Sequence, residues 1–312
     1  MTDSLPDFIT LHRPVIETAL ENHLPLSSQR GAERLNEALR YAVFPGGKRW
    51  RPLLTLLGAL VAGGTAKVAL PAACAVEFLH TSSLILDDLP AMDDADLRRG
   101  RAALHIAFDE SLALMSSLAL LNQAYALMAC LARDGAEAIA ASRLVCEAAR
   151  CIGSNGMIGG QVADLEMNSL SAGSELLASR NLKTTGLTRL MMTSGAIAVG
   201  AAESDIAALA HFGECFGAAY QVCDDLMDAI GERETLGKSV RQDCRHLRPS
   251  FVAELGIEGS YRLASSLIEE GRQTLREQFG DRRAVRLINQ ATELIIGGAV
   301  KLKPVTACPA QR

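Results

Sequence analysis

The sequence predicts an all-α fold, a single large helical bundle, and three observations predict it. Of 312 residues, 49% are hydrophobic and only 4% aromatic; alanine and leucine dominate while β-branched and aromatic runs are scarce. That balance favours helices over sheets. Apolar residues recur at helical spacing almost throughout, with Gly, Pro and short polar clusters as punctuation, and no strand pattern competes. Finally, stretches such as 106–132 and 185–200 are apolar nearly all round. A helix of that kind must be surrounded by others or lie in a subunit interface. A chain of this length buries ~75% of the surface its unfolded form exposes, enough for a large core.

In order, the pattern places helices at 5–23, 30–43, 49–62, 69–89, 106–132, 136–167, 185–200, 204–230, 258–278 and 284–299. The third opens after Gly46-Gly47-Lys48-Arg49, and the fourth must end or deform at Pro90, because proline cannot continue the hydrogen-bonded ladder. Residues 231–250 form the longest polar connection, and 303–312 (KPVTACPAQR) read as a frayed tail. No solenoid repeat or low-complexity linker interrupts the chain, so 1–312 is expected to be one domain.

The formal net charge is −5, with no basic tail or lysine-rich block, so nothing asks for nucleic acid. Eight cysteines show no CxxC or Cys/His metal spacing and sit mostly in apolar stretches. They read as small buried hydrophobes in a reducing compartment. The N-terminus, with early acidic residues and no uninterrupted apolar core, is not expected to be a signal peptide. No segment is expected to span a membrane, which needs ~20 apolar residues. A cytoplasmic protein is expected.

Two aspartate clusters carry the chemistry. The stretch LILDDLPAMDDADLRRGR (84–101) places Asp87, Asp88, Asp93, Asp94 and Asp96 close together, with Arg98, Arg99 and Arg101 directly after. Asp87 and Asp93 lie six apart, ~120° out of alignment on an ideal helix. A break at Pro90 lets Asp93 swing back towards Asp87. Far downstream, Asp224-Asp225-Leu226-Met227-Asp228 puts Asp224 and Asp228 on one helical face with Asp225 beside them, since residues four apart differ by ~40°. Such clusters suit Mg²⁺, which is held by a few carboxylates plus substrate phosphates. One cluster alone could equally be a solvated acidic helix end; two, each preceded by apolar helix, make that reading weaker.

Basic residues supply the complement. Gly46-Gly47-Lys48-Arg49-Trp50-Arg51-Pro52 sets two glycines before a cationic turn opening a helix, which could hold a phosphate with side-chain charge and helix amides. A loop of solvated cations is the plainer alternative. Arg98, Arg99, Lys183-Thr184-Thr185 and Lys238 add candidates, and His80 precedes Asp87 by rather more than a turn. A lone histidine in an apolar helix is usually a packed core residue. Carboxylates, cations and an apolar interior together describe a site for a lipid-like diphosphate.

From about Leu35 to Gly256 the chain resembles the trans-isoprenyl diphosphate synthases, or polyprenyl synthetases, and among them bacterial geranylgeranyl diphosphate synthases. The resemblance rests on GGKRWRP, HTSSLILDDLPAMDDADLRRGR, LKTTGL, YQVCDDLMD and LGK in this order and spacing. It implies an all-α homodimer of isoprenoid synthase type, its helices around a central apolar cavity with the two Asp-rich motifs facing across the mouth. It implies that Asp87, Asp88 and Asp93, with Asp224, Asp225 and Asp228, coordinate three Mg²⁺ ions through the diphosphate of a dimethylallyl, geranyl or farnesyl substrate. Arg98, Lys183, Thr184, Gln221 and Lys238 would contact that diphosphate. Lys48, Arg51, His80 and Arg99 would bind isopentenyl diphosphate, and Gln161 and Asp164 would line the cavity. The implied catalytic set is Asp87, Asp88, Asp93, Asp224, Asp225, Lys183 and Lys238.

The implied chemistry is Mg-dependent head-to-tail prenyl transfer. Metals and cations neutralise charge on the departing diphosphate, a dry cavity shields the allylic carbocation, and a proton leaves to the released diphosphate. No side-chain nucleophile or histidine base is needed. Short-chain (C15) bacterial members tend to carry a bulky aromatic at the Ser82 position, five before Asp87. Ser82, with Ser83 beside it, and the Pro90-Ala91 insertion imply a C20 product, geranylgeranyl diphosphate, over farnesyl diphosphate. Three departures stand out: Leu247-Arg248-Pro249-Ser250 replaces a GKxT-like stretch, Met115 to Leu120 lacks a Gly-Asp pair, and Trp50 is larger than the usual aliphatic. None removes a metal ligand. A terpene cyclase would pair one Asp-rich motif with an Asn/Ser/Glu-type one, and a non-catalytic regulatory partner of an active synthase would be expected to lose a cluster.

Overall fold

The computed structural model describes residues 4–131, 135–166, 174–230 and 250–300. Lys238, Arg248, Pro249 and the tail 303–312 lie outside the described residues. Twelve helices are described: α1 (Leu5–His23), α2 (Glu33–Val43), α3 (Trp50–Val61), α4 (Ala66–Asp87), α5 (Leu104–Ala107), α6 (Glu110–Ala129), α7 (Gly135–Ile152), α8 (Met157–Glu166), α9 (Ser174–Ala198), α10 (Glu203–Ile230), α11 (Phe251–Phe279) and α12 (Arg283–Val300). A two-residue hairpin, β1 (Leu97–Arg98) with β2 (Arg101–Ala102), is the one sheet among the described residues.

α9 is the hub. It packs on α3, α4, α7, α8 and α10, while α10 packs on α11 and α4 on α6. Its buried residues Leu187, Leu190, Met191, Met192, Ala196 and Ile197 lie all round the helix, as the apolar run from 185 to 200 requires. Close approach depends on small residues. A Cβ on Gly195 would fall 1.9 Å from the Thr55 carbonyl of α3, and one on Gly160 of α8 would fall 2.1 Å from the Lys183 amide of α9. The second approach lays α8 beside the middle of α9, next to the site described below.

The structure corrects the sequence reading at several points. The run 106–132 divides at Asp109, whose carboxylate accepts the Leu112 amide and so starts α6; the run 136–167 divides between Ile152 and Met157. α9 begins at Ser174 rather than 185, so Lys183 and Thr184 sit inside a helix. The segments α4 and α6 are long and apolar enough to cross a membrane, against expectation, but 72% of the apolar window in α4 is buried inside the bundle. In α6 only 39% is buried, and Leu114, Met115 and Leu118 are exposed. Of the described cysteines, all unpaired, Cys130 and Cys146 are exposed rather than buried.

Candidate active site

The first aspartate cluster is built by the end of α4. The helix stops at Asp87, and four backbone bonds then fold the chain back on itself. The Met92 and Asp94 amides donate to the Leu89 carbonyl, Ala95 to that of Asp88, and Asp93 to that of Asp87 at 2.9 Å. This return is the one the sequence assigned to Pro90: residues six apart are brought together by a turn, not by helical period. Asp94 takes a left-handed φ of 46° to complete it. The β1–β2 hairpin follows, with Arg99 (φ 55°) and Gly100 (φ 76°) at its two-residue tip, the positive-φ pair a tight hairpin demands. The hairpin turns Arg98 inward, where its guanidinium grips the carboxylate of buried Asp88 through Nε at 3.0 and 3.1 Å and through Nη2.

The second cluster needs no such device. Asp224, Asp225 and Asp228 lie on the unbroken helix α10, Asp224 exposed and Asp225 buried. Asp225 accepts Gln221 Nε2 at 3.1 Å through Oδ1 and the backbone amide of Phe251 at 2.9 Å through Oδ2. It therefore also anchors the start of α11, where the Ser250 hydroxyl caps the Ala253 amide.

Two neighbouring residues of α9 join these clusters. The ammonium of Lys183 lies 3.6 Å from Asp87 and 3.8 Å from buried Asp164 of α8. The next residue, Thr184, donates to Gln221 at 3.0 Å, and Gln221 leads on to Asp225. Burial raises the pKa of the Asp87 carboxyl, and nearby Asp93 adds to this; Lys183 and Arg98 oppose it. A site that crowds carboxylates against desolvation is one that a divalent cation relieves. The donors are all hard carboxylate oxygens, which fits Mg²⁺.

A basic group lies alongside. His80, buried on α4, has its pKa pushed well below the ordinary value by burial and by Arg51, Arg99, Arg98 and Arg49. It is neutral near pH 7. Burial also lowers the pKa of Arg51, with Arg99 contributing against the pull of Glu77 and Tyr220, and burial lowers that of Arg99. For Arg98 burial acts in the same sense, but its bond to Asp88 prevails and raises it. The buried Nε of Arg51 has no protein partner, and a Cβ on Gly47 would touch the Arg99 guanidinium at 3.4 Å. Crowded cations with an unsatisfied donor fit an anion. Lys48 stays exposed beside them.

Arg49 escaped the sequence reading. Flanked by ligand candidates, it instead turns inward at φ 55° as the N-cap of α3. Its side chain is fully buried, bonded to Glu17 at 2.9 Å, to Glu77 of α4 at 2.6 Å and to the Val43 carbonyl at 2.8 Å. The guanidinium fills the space a Gly46 side chain would need, so Arg49 holds the glycine loop from beneath. Its glutamates come from two distant helices, which no local pattern shows. Ser82, 4% exposed, exchanges hydrogen bonds with Ser117 of α6 (Oγ to Oγ 2.9 Å), while Ser83 turns to the His80 carbonyl of its own helix. Gln161 lies beside Met92, its Oε1 buried without a protein donor.

The family model described as polyprenyl synthetase matches residues 32–294. The chain is similar to a dimethylallyltranstransferase of Fischerella ambigua, 35% identical over 298 residues that cover 94% of this chain and 84% of that protein. A geranylgeranyl diphosphate synthase of Cyanophora paradoxa is 33% identical over 289 residues, covering 91% and 94% respectively. Among solved structures, a geranyltransferase of Helicobacter pylori complexed with magnesium and isoprenyl diphosphate superposes with a TM-score of 0.82 at 28% identity, covering 96% of this chain and 99% of that one.

Proposed function

The chain belongs to the polyprenyl synthetase family, and we propose that it condenses isopentenyl diphosphate with an allylic diphosphate to make geranylgeranyl diphosphate. It is a prenyltransferase of the all-α isoprenoid synthase fold, acting head-to-tail and dependent on Mg²⁺. The observation that carries the site assignment is the pair on α9: Lys183 reaches Asp87 while Thr184 reaches Gln221 and, through it, Asp225. One turn of helix thus connects two carboxylate clusters more than a hundred residues apart.

Asp87, Asp88 and Asp93 on one side and Asp224, Asp225 and Asp228 on the other would hold three Mg²⁺ ions. Bound there, the metal supplies Lewis-acid neutralisation of the departing diphosphate. Lys183, Arg98, Thr184, Gln221 and Lys238 would orient the allylic diphosphate, a dimethylallyl, geranyl or farnesyl ester. Lys48, Arg51, His80 and Arg99 would hold isopentenyl diphosphate, the unsatisfied Nε of Arg51 supporting that assignment. Neutral His80 donates a hydrogen bond there rather than taking a proton, and the proton lost from the condensation product goes to the released diphosphate. Gln161 and Asp164 position the Lys183 side of the site, and the apolar interior keeps water from the allylic carbocation.

Product length rests on Ser82. It stands five residues, ~7.5 Å along the helix, below Asp87, and small Ser117 faces it. Ser82→Tyr should shorten the product by one isoprene unit, read by chromatography; an unchanged product places the limiting residue elsewhere. The exposed apolar face of α6, with Leu114, Met115 and Leu118, supports a homodimer, and light scattering should give twice the 33.2 kDa of one chain.

The experiment is incubation of the purified protein with Mg²⁺, isopentenyl diphosphate and farnesyl diphosphate, then chromatography of the dephosphorylated products. A C20 alcohol is expected. Products stopping at C15 would overturn the length assignment alone. Failure to elongate any allylic starter would overturn the enzyme assignment and favour a non-catalytic partner.

A further inference from the structure

Among the described residues, one group of metal-ligating side chains lies apart from the aspartates: His211 and Cys215, one turn apart on α10, and Glu270 of α11. Their donor atoms all fall within 4.8 Å of one another. His211 Nε2 is 3.0 Å from Glu270 Oε1 and 3.6 Å from Cys215 Sγ. A tetrahedral Zn²⁺ with Zn–N ~2.05 Å and Zn–S ~2.3 Å separates its nitrogen and sulfur ligands by ~3.5 Å, and its nitrogen and oxygen ligands by ~3.4 Å. The sulfur–nitrogen spacing is already that of a zinc centre, and the nitrogen–oxygen spacing differs from it by about 0.4 Å.

Surroundings favour the same reading. Cys215 is 5% exposed, whereas the His211 and Glu270 side chains are 43% and 53% exposed, so the donors run from the helix interface out to solvent. A fourth position is therefore open to water. Gly271, beside Glu270, allows the approach: a Cβ there would meet Phe212 at 3.1 Å and the Cys215 Cβ at 3.3 Å. Burial, with Glu270 and Glu214, pushes the Cys215 thiol up to about 12. Glu214 is already engaged by Arg189 at 2.6 Å. Without a metal, the cluster is a surface His–Glu pair above a buried thiol.

We propose that His211, Cys215 and Glu270 form a three-ligand site for a borderline divalent cation of the Zn²⁺ type, which staples α10 to α11. Binding forms a metal–sulfur bond and releases the thiol proton to solvent. Cys215 lies nine residues before Asp224, ~13 Å along the helix axis, so this site is distinct from the Mg²⁺-binding carboxylates. It grips the same helix pair that Asp225 ties together at the other end.

Cobalt(II) is the probe. Titrated anaerobically into the metal-free, reduced full-length protein, Co²⁺ should saturate at one equivalent with a near-ultraviolet thiolate-to-cobalt charge-transfer band, and Zn²⁺ should abolish it. Carboxylate sites cannot produce that band. Cys215→Ser should lose it, as should His211→Ala, a half-exposed position whose replacement leaves the core intact. Glu270→Gln should weaken Co²⁺ binding at least tenfold. Absence of the band, its persistence in either ligand variant, or an unchanged affinity in Glu270→Gln would overturn the proposal. Prenyl transfer with Mg²⁺ should survive in His211→Ala, so a failure here is independent of the main site.

Discussion

The two aspartate clusters reach similar ends by different local structures. Around Asp87 the helix has to stop: the Asp93 amide folds back onto the Asp87 carbonyl, and a hairpin supplies Arg98 to neutralise Asp88. Around Asp224 the helix continues, and periodicity alone aligns Asp224 with Asp228, while Asp225 is held by a neutral amide and a backbone N–H. In each, the most buried carboxylate is satisfied by protein, at 3% exposure for both Asp88 and Asp225. Asp88 is met by a guanidinium, and Asp225 has an amide and a backbone N–H among its partners. The first cluster thus depends on a folded-back loop, the second on a continuous helix.

If both clusters stabilise the same departing diphosphate, the largest effects should be equal across the comparison. Asp87→Ala and Asp224→Ala should each lower kcat by about 10²–10³-fold, the range for removing one group that stabilises transition-state charge. Steady-state kinetics at saturating Mg²⁺ would measure it. A near-normal rate in Asp224→Ala beside a large loss in Asp87→Ala would break the symmetry and leave the second cluster a structural role.

The anchors should behave unequally. Arg98→Ala strands a buried carboxylate, and with Arg98 a third exposed the loss should be about 3 kcal/mol, the low end for a broken buried pair. Asp225→Asn keeps the side-chain volume but replaces one acceptor oxygen by a donor, and should cost about 1–2 kcal/mol through the Phe251 amide or the Gln221 side chain. Urea unfolding of both variants measures the difference. Equal losses would mean that the charge on Asp88 is screened and that the two anchors are equivalent.

The same contrast explains what the sequence revealed. The α10 cluster was legible because helical period is a local property, and its helix runs at 203–230 against an expected 204–230. Pro90 announced the first cluster's break, but not the bonds that close the loop. The β1–β2 hairpin was invisible because two-residue strands are too short to show alternation. The inward turn of Arg49, the Ser82–Ser117 bond and the approach of Glu270 to His211 each depend on partners distant in sequence. His211 and Cys215 stand at i, i+4, against the expectation of no Cys/His metal spacing, and the third donor of the cluster lies on another helix. Lys183 and Thr184 were found as residues but placed before their helix. Their position inside it is what lets adjacent side chains diverge towards the two clusters.

Titration separates the two sides by a smaller margin. The α4 side carries His80, whose pKa burial and the surrounding arginines push well below the usual 6.5, whereas the Gln221 amide and the Phe251 N–H that Asp225 accepts do not titrate. Below pH 6.5 the unfolded chain protonates this histidine while the folded one does not. Stability contributed on this side is therefore flat above 6.5 and falls with decreasing pH, by up to about 1.4 kcal/mol per pH unit. His80→Gln should remove that part of the slope between pH 6.5 and 5, measured as the difference between wild-type and variant urea midpoints converted to free energy. His12, whose pKa burial and Arg283 also lower, titrates in both proteins and cancels in the difference. Parallel pH profiles would mean that His80 gains its proton in the folded state as easily as in the unfolded one. The basic group would then already be balanced by carboxylates, and the unsatisfied Nε of Arg51 would no longer argue for a phosphate on this side.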